Sequence, residues 1–217
     1  MNRAFIFDLN GTMINDMEFH LDAWHTMLRR LGATLDRETV RSHMYGKNEE
    51  LLERIFGPGH FSAEQVAAIS DEKERGYQQV FRPHLQLING LQTFLQRAAD
   101  QHIPMAIGSA ANLFNIDYVL DNLNIRHYFK AIVSAESVQK SKPHPEVFLK
   151  AATALGIQPT DCIVFEDAPK GVEAAANAGM NALVLTTMHT REEFAASKNI
   201  IGFVNDYTDP LLEQCFV

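Results

Sequence analysis

The stretch that decides the fold is AFIFDLNGT, residues 4–12. Its first part, Ala4–Leu9, is almost continuously apolar, which is typical of a β-strand buried on both faces of a parallel sheet. Its second part, DLNGT, places an acid, an amide, a glycine and a hydroxyl at the end of that strand. This pattern predicts a ligand site at the carboxyl end of the strand, where open α/β sheets bind their ligands.

Five further apolar runs have the same character and alternate with helical patterns. The runs are 104–108, 131–134, 162–165, 182–185 and, more weakly, 200–204. The helical patterns are 91–101, 113–123, 146–155, 171–178 and 191–197, the last preceded by a candidate capping box of Thr190 and Glu193. This alternation predicts an α/β fold, a Rossmann-like doubly wound parallel sheet.

One segment breaks the alternation. From about Asp16 to about Phe81 the sequence has helical periodicity and no convincing strand, and its clearest apolar stripe is Met17, Leu21, Trp24, Met27, Leu28 and Leu31. We therefore predict a core formed by residues 1–14 and 84–217 and a helical cap formed by residues 15–83. A cap inserted after the first strand is placed to act as a lid. The charge run 71–75 is interpreted as a solvated helix face.

Composition argues against several functional classes. The chain has 217 residues, 46% hydrophobic and 21% charged, as in ordinary soluble proteins. A net charge of −8 argues against general nucleic-acid binding, and no apolar run is long enough for a transmembrane helix. The N-terminus lacks a signal-peptide pattern, so we expect a cytoplasmic protein with no membrane partner. Two cysteines are too few for a disulfide framework.

Polar residues follow four of the predicted strands. Asp8 ends the first, Ser109 the second, Lys142 follows the third, and Glu166 with Asp167 ends the fourth. In a parallel sheet these strand ends meet at one edge. Three carboxylates together are costly unless a cation neutralises them, and oxygen ligands suit Mg²⁺. The Lys142 ammonium and the Ser109 hydroxyl suit a phosphate, which Asp8 can attack in line to form an aspartyl phosphate.

These motifs resemble those of the haloacid dehalogenase superfamily. FDLNGT (7–12) looks like its first motif, usually D-x-D-G-T/V, while GSAAN (108–112), SKPHPEVF (141–148) and FEDAPKG (165–171) look like the second, third and fourth. Over essentially its whole length the chain resembles the β-phosphoglucomutase-like subfamily. The resemblance implies an Mg²⁺-dependent phosphatase or phosphomutase with a helical cap, which acts on a small phosphorylated metabolite and can work as a monomer.

The resemblance also implies roles for individual residues. Asp8 is the expected nucleophile, and the expected Mg²⁺ ligands are Asp8, the backbone carbonyl of Asn10, Glu166 and Asp167. The transferring phosphate is expected to bind Ser109, the N–H of Ala110 and Lys142. The other residues expected at the phosphate or the substrate are Gly11, Thr12 and Asn112 in the core and His20, Trp24, Gly46 and Lys47 in the cap.

Several of these residues also have a purely structural interpretation. Ser109 alone is typical of a helix N-cap, whose N–H groups can bind phosphate at the same time. Trp24 alone is typical of a hydrophobic core. His20, in an amphipathic helix, is explained as well by structure as by catalysis.

Residue 10 departs from the family pattern, in which it is usually an aspartate that serves as general acid and base. An amide keeps the shape but cannot transfer a proton, so we expect turnover to fall by roughly 10²–10⁴-fold. Three origins for Asn10 stay open: a natural homologue with weak or altered activity, an engineered replacement, and an asparagine that deamidates because it precedes Gly11. A natural Asn10 would favour a slow enzyme or a protein that only binds phosphorylated ligands.

The cap loop departs as well. The mutase carries a lysine before the loop glycine and an arginine shortly after it, whereas here Gly46 is preceded by Tyr45 and followed by Lys47, the only cation of the loop sequence. A bisphosphate needs two cationic contacts, and a lysine offers a point charge rather than a fork. The sequence therefore favours a phosphatase for a sugar phosphate or similar small monoester over a mutase.

Overall fold

A single parallel sheet organises the described part of the chain, residues 3–216 of a computed structural model. Its strands are β1 (Ala4–Phe7), β2 (Met105–Gly108), β3 (Phe129–Val133), β4 (Cys162–Glu166), β5 (Asn181–Leu185) and β6 (Ile200–Val204). The spatial order is β3-β2-β1-β4-β5-β6 and every neighbouring pair is parallel. The predicted Rossmann-like doubly wound fold is confirmed, with β1 and β4 at its centre.

Eight α-helices surround or interrupt this sheet among the described residues. They are α1 (Met17–Arg30), α2 (Arg37–His43), α3 (Asn48–Phe56), α4 (Ala63–Phe81), α5 (Leu91–Asp100), α6 (Leu113–Asn122), α7 (Glu146–Leu155) and α8 (Pro169–Asn177). Within residues 3–216, no helix has both the length and the apolar character needed to cross a membrane.

The helix predicted at 191–197 is wrong in type and length. The chain forms only a 3₁₀ turn over Arg191–Phe194. The predicted capping box is present, since the N–H of Thr190 donates to Glu193 Oε1 at 2.8 Å. Phe194 is buried, but the residues on either side of it are exposed, so the turn has no apolar stripe along which a longer helix could pack.

The inner strands β1, β2, β4 and β5 carry the core because both of their faces are apolar and buried. All four residues of β1 are fully buried. On one face the ring of Phe7 stacks on that of Phe165 in β4, with centroids 4.6 Å apart, and the register pairs these two residues directly. The residues that follow them, Asp8 and Glu166, therefore emerge side by side at the carboxyl edge of the sheet, and the N–H of Asp8 donates to the carbonyl of Phe165 at 3.0 Å.

The chain divides into two compact units. The core unit contains the described residues up to Asn15 and from Gln86 onward, and the cap unit is Asp16–Leu85. The cap unit thus begins one residue later and ends two residues later than the sequence indicates. Its four helices enclose an apolar core of their own, formed by Leu21, Trp24, Met27, Leu28, Val40, Leu51 and Leu52. The first four of these residues belong to the predicted stripe.

Two glycines provide a matched test of this backbone. Gly76 is exposed inside α4, and a Cβ there would meet no atom within 4 Å, so we expect Gly76→Ala to stabilise the protein by about 0.5–1 kcal/mol. Gly90, which precedes α5 at φ +81°, would place its Cβ 2.7 Å from the carbonyl carbon of Tyr207, so Gly90→Ala should destabilise. Urea unfolding measures both, and a gain at Gly90 would contradict this backbone geometry.

Candidate active site

The predicted polar residues of the core converge at the carboxyl edge of the sheet around one buried ammonium group. Lys142, from the segment after β3, places its Nζ 2.7 Å from Oδ1 of Asp8 and 2.7 Å from Oε1 of Glu166. All three side chains are at least nine-tenths buried. The Nζ atom also lies 4.7 Å from the ring centre of Phe148, so the ammonium is held by charge on two sides and by an aromatic face on another.

Glu166 is held in place by the start of α8. Its Oε2 accepts hydrogen bonds at 2.8 Å from the N–H groups of Asp167 and Ala168, where the helix N-terminus favours negative charge. A Cβ at Gly171 in the same helix would lie 1.7 Å from Oε1 of Glu166. The glycine of the FEDAPKG stretch is therefore required by the space that this carboxylate occupies.

Asp167 faces the loop that follows β1. Its Oδ1 accepts a hydrogen bond from the hydroxyl of Thr12 at 3.2 Å. Gly11 lies against the same carboxylate at φ +73°, and a Cβ there would come within 2.1 Å of Oδ2. Gly11 is thus needed both for its backbone conformation and for the close approach of Asp167.

The loop gives Gly11 and Thr12 a role different from the predicted phosphate contact. The N–H of Gly11 donates to the carbonyl of Ile14 at 2.8 Å, and the N–H of Thr12 approaches the carbonyl of Leu9 at 3.4 Å. Both N–H groups therefore shape the turn that carries Asn10, whose side chain is half-buried. A phosphate contact by Gly11 or Thr12 stays a prediction without support from these bonds.

Burial in this cluster shifts the pKa of Asp8, Asp167 and Lys142. Burial, together with the charge of Glu166, raises the pKa of Asp8 to about 6, although Lys142 acts in the opposite direction. Burial and the charges of Glu166 and Asp8 raise the pKa of Asp167 well above its usual range. Burial alone would lower the pKa of Lys142, but the neighbouring charges of Asp8 and Glu166 raise it, so it stays an ammonium.

The charge balance of this cluster suits a divalent cation. With Asp8, Glu166 and Asp167 ionised, the single charge of Lys142 leaves an excess of two negative charges in a buried place. Carboxylate and backbone carbonyl oxygens are the ligands that Mg²⁺ prefers. Within residues 3–216, however, no three acidic, imidazole or thiol side chains already converge as a ligand set. Lys142 binds one oxygen each of Asp8 and Glu166.

The second motif differs in detail from its structural interpretation. Ser109 is buried at the end of β2, and its Oγ accepts from the N–H of Ala111 at 3.2 Å. It is not the N-cap of α6, because that helix begins only at Leu113. The N-cap is Asn112, whose Oδ1 accepts from the N–H of Asn115 at 3.0 Å. The substrate contact predicted for Asn112 is therefore not supported by this capping role. Ser109 also donates a hydrogen bond to Asp8.

In the cap unit, His20 belongs to a buried polar cluster that the sequence did not reveal. Its Nδ1 lies 2.7 Å from Nζ of Lys73 and its Nε2 lies 3.2 Å from Oδ2 of Asp16, while Lys73 also binds Glu74 at 3.0 Å. Tyr77 donates its hydroxyl to Asp16 and stacks its ring on His20. Trp24 is buried in the cap core on the same helix as His20.

The interpretation of residues 71–75 as a solvated face is therefore wrong in part. Asp71, Glu72 and Arg75 are exposed, but Lys73 and Glu74 are almost completely buried. Helical periodicity shows which residues share a face, but it does not show that α1 supplies partners for a buried ion pair. The burial lowers the pKa of Lys73, against the opposing charges of Glu74 and Asp16.

The cap loop contains a cationic support from outside its own sequence. Arg54 of α3 donates from Nη2 to the carbonyls of His43, at 2.7 Å, and Tyr45, and its guanidinium covers the Tyr45 ring at 3.8 Å. Gly46 adopts φ +74°, and the N–H of Lys47 donates to Glu50 Oε2 at 2.9 Å. Lys47 is thus the only cation in the loop sequence, but the guanidinium of Arg54 also contacts the loop.

The chain is similar to known proteins along most of its length. Residues 5–185 match the family model of haloacid dehalogenase-like hydrolases. The chain is 30% identical over 183 residues to the fructose-1-phosphate phosphatase YqaB of Escherichia coli, covering 83% of this chain and 94% of that protein. It is 31% identical over 187 residues to the β-phosphoglucomutase of Bacillus subtilis, covering 83% and 82%.

A solved structure shows the same similarity in three dimensions. The β-phosphoglucomutase of Clostridium difficile superposes with a TM-score of 0.85 at 26% identity, covering 100% of this chain and 97% of the other. The order of strands and the inserted cap helices are thus accompanied by sequence similarity along nearly the whole chain.

Removal of the central ammonium is the first test of this site. Lys142→Met leaves two buried carboxylates without their cation, so we expect a loss of about 3–5 kcal/mol of unfolding free energy in the metal-free protein. The matched control is Lys150→Met, which removes a half-exposed ion pair with Glu146 and should cost no more than about 1 kcal/mol. Urea unfolding with a chelator measures both, and equal losses would contradict the central role of Lys142.

The raised pKa of Asp167 predicts a pH trend. The native state holds this proton more tightly than the unfolded state, so the free energy of unfolding falls as pH rises above the ordinary value of 3.8. Asp167→Asn removes this loss, and the metal-free variant should gain stability over the parent between about pH 5 and about pH 8. Asp121→Asn is the control. Because Arg126 lowers the pKa of Asp121, the ionised carboxylate stabilises the native state, and this variant should lose stability where Asp167→Asn gains it. Urea denaturation at both pH values measures the free energy of unfolding of each variant. If the gain of Asp167→Asn over the parent does not grow with pH, the result is inconsistent with a raised pKa of Asp167.

Proposed function

Because the chain belongs to the haloacid dehalogenase-like hydrolase family and to its β-phosphoglucomutase-like branch, we propose that it hydrolyses a sugar phosphate or a similar small phosphomonoester through an aspartyl phosphate. The observation that carries this proposal is the buried Lys142 ammonium, 2.7 Å from both Asp8 and Glu166 at the carboxyl edge of the sheet. This arrangement places a nucleophile, the carboxylate of Asp8, next to a fixed positive charge, the ammonium of Lys142.

Asp8 is the nucleophile in this proposal. Its carboxylate forms a bond to phosphorus, and the bond between phosphorus and the ester oxygen breaks. The leaving oxygen takes up a proton from water, because the amide of Asn10 cannot transfer one. Water then attacks the aspartyl phosphate, which releases inorganic phosphate and restores Asp8. The pKa of about 6 makes this carboxylate more basic than an ordinary aspartate, yet it is still largely ionised near neutral pH.

Lys142, Ser109 and the N–H of Ala110 hold the phosphate in this proposal. The ammonium of Lys142 stays charged because neighbouring carboxylates raise its pKa, and it neutralises negative charge that develops on the phosphoryl oxygens. The hydroxyl of Ser109 is buried beside Asp8, so it is placed to donate to the same group.

Mg²⁺ would be held by Asp8, the backbone carbonyl of Asn10, Glu166 and Asp167. With all three acids ionised, the buried side chains carry an excess of two negative charges, which a divalent cation would neutralise, and this supports the assignment. When bound, the ion would neutralise charge on the phosphate and orient it.

The cap residues complete the proposal. The resemblance assigns substrate contacts to His20, Trp24, Gly46 and Lys47. The positive φ of Gly46 lets the backbone turn just before Lys47, which supports a loop that presents a cation. The burial of Trp24 favours a structural role for that residue.

Two other functions have one observation each in their favour. The similarity to two β-phosphoglucomutases favours phosphoryl transfer to a second hydroxyl of the sugar instead of water. Asn10 favours a protein that binds a phosphorylated ligand and converts it slowly or not at all, because an amide cannot protonate the leaving oxygen.

Residue 10 provides the decisive experiment. We expect Asn10→Asp to release phosphate from at least one sugar phosphate, with Mg²⁺, roughly 10²–10⁴-fold faster than the parent chain. Asn15→Asp is the matched control, because it adds the same charge at an exposed position five residues along the same segment and should leave the rate unchanged. Mass spectrometry of the parent reports how much of residue 10 has deamidated.

The outcomes separate the three functions. Isomerisation of a sugar phosphate without phosphate release would replace the phosphatase with a mutase. If both the parent and Asn10→Asp are silent on every substrate, while calorimetry detects binding of a sugar phosphate, the protein is a phospho-ligand binder. An equal rate increase in Asn15→Asp would show that added charge, not an acid and base at residue 10, is responsible.

A further inference from the structure

The loop after β1 is held by two hydroxyl groups that lie outside the four motifs. Thr187 follows β5 and Tyr207 follows β6, and both come after residue 185, where the match to the family model ends. The hydroxyl of Thr187 donates to the carbonyl of Gly11 at 2.6 Å. The hydroxyl of Tyr207 donates to the carbonyl of Thr12 at 3.1 Å. Two consecutive carbonyls of the loop are therefore fixed by side chains from the far part of the chain.

These bonds bear directly on the carbonyl of Asn10. That carbonyl shares a planar peptide group with the N–H of Gly11, which donates to Ile14 at 2.8 Å. The next peptide plane carries the carbonyl that Thr187 holds. The direction of the Asn10 carbonyl is thus set by the bond to Ile14 on its own plane and by Thr187 on the adjacent one.

Tyr207 is itself firmly placed. It is 6% exposed, its ring lies 5.4 Å from that of Phe94 and 5.9 Å from that of Phe165, and its N–H donates to the carbonyl of Asn89 at 2.9 Å. Hydroxyl donors also suit this location for an electrostatic reason. They satisfy buried carbonyls without a further charge beside a cluster that is already unbalanced.

We propose that Thr187 and Tyr207 are positioning residues that aim the Asn10 backbone carbonyl at the divalent cation. This inference rests on the proposed function, because it needs the cation site formed by Asp8, Glu166 and Asp167. It adds the two residues that determine how well residue 10 serves as a ligand whatever its side chain is.

Thr187 allows the sharper test, with Mn²⁺ as the probe and its free-ion signal in electron paramagnetic resonance as the readout. Thr187→Val keeps the shape and removes the donor, so the dissociation constant for Mn²⁺ should rise about tenfold, while Thr187→Ser should restore it. The control is Thr186→Val, because the Thr186 hydroxyl donates to Asn205 and to the carbonyl of Val204, at the end of β6. Thr186→Val should bind Mn²⁺ as the parent does.

Tyr207→Phe tests the second donor in the same way, with Tyr128→Phe as its control, since the Tyr128 hydroxyl bonds the side chains of Gln92 and Gln96 in α5. Parent-like Mn²⁺ affinity in both Thr187→Val and Tyr207→Phe would overturn the proposal, as would an equal loss in Thr186→Val. If Tyr207→Phe does not fold, the three variants at 186 and 187 still decide. A parent that binds no Mn²⁺ would refute the cation site itself, and the parent measurement shows this separately.

Discussion

One ammonium group, Nζ of Lys142, lies 2.7 Å from each of two buried carboxylates, and much of the surrounding structure follows from the burial of these charges. Asp8 and Glu166 are brought side by side because β1 and β4 are neighbours in register at the centre of the sheet. An isolated carboxylate in such a place would be strongly destabilised. The helix N-terminus of α8, the Ser109 hydroxyl and the Lys142 ammonium each offset part of that cost. The third acid, Asp167, is offset by Lys142 only in part, and this remaining imbalance is the physical reason to expect a cation.

The core of the fold was predictable because its signal is local. The apolar runs of β1, β2, β4 and β5 are buried on both faces, and such runs followed by polar turns predict both the strands and the edge where function lies. Ile200–Val204 and Glu146–Leu155 have the predicted bounds, and the other strands and helices differ by a few residues. At Arg191–Phe194 the sequence predicts a longer helix because the capping box that starts it is a local feature. A helix continues only where an apolar stripe can pack, and the chain here forms only a 3₁₀ turn.

The candidate site was predictable only where its residues stand at strand ends. Asp8 and Glu166 meet as expected because the topology brings those strand ends together, and Lys142 reaches both acids from the segment after β3. Lys73 and Glu74 were not recognised, because the burial of a charged residue depends on partners from a distant helix and not on its own surroundings in sequence. The sequence does not predict the roles of Thr187 and Tyr207 for a related reason. A hydroxyl that donates to a backbone carbonyl leaves no spacing pattern by which a sequence would reveal it.

The two glycines that touch the acids also constrain how this sequence can vary. Gly171 is matched to the carboxylate of Glu166 and Gly11 to that of Asp167, in each case because a methyl group would overlap the acid. These four positions therefore behave as two coupled pairs rather than as four independent ones. A lineage that acquires alanine at 171 must shorten or lose the acid at 166 in the same step or before it. Among homologues, each glycine should thus be inherited together with its acid, and the loss of either acid is what would first release its glycine to change.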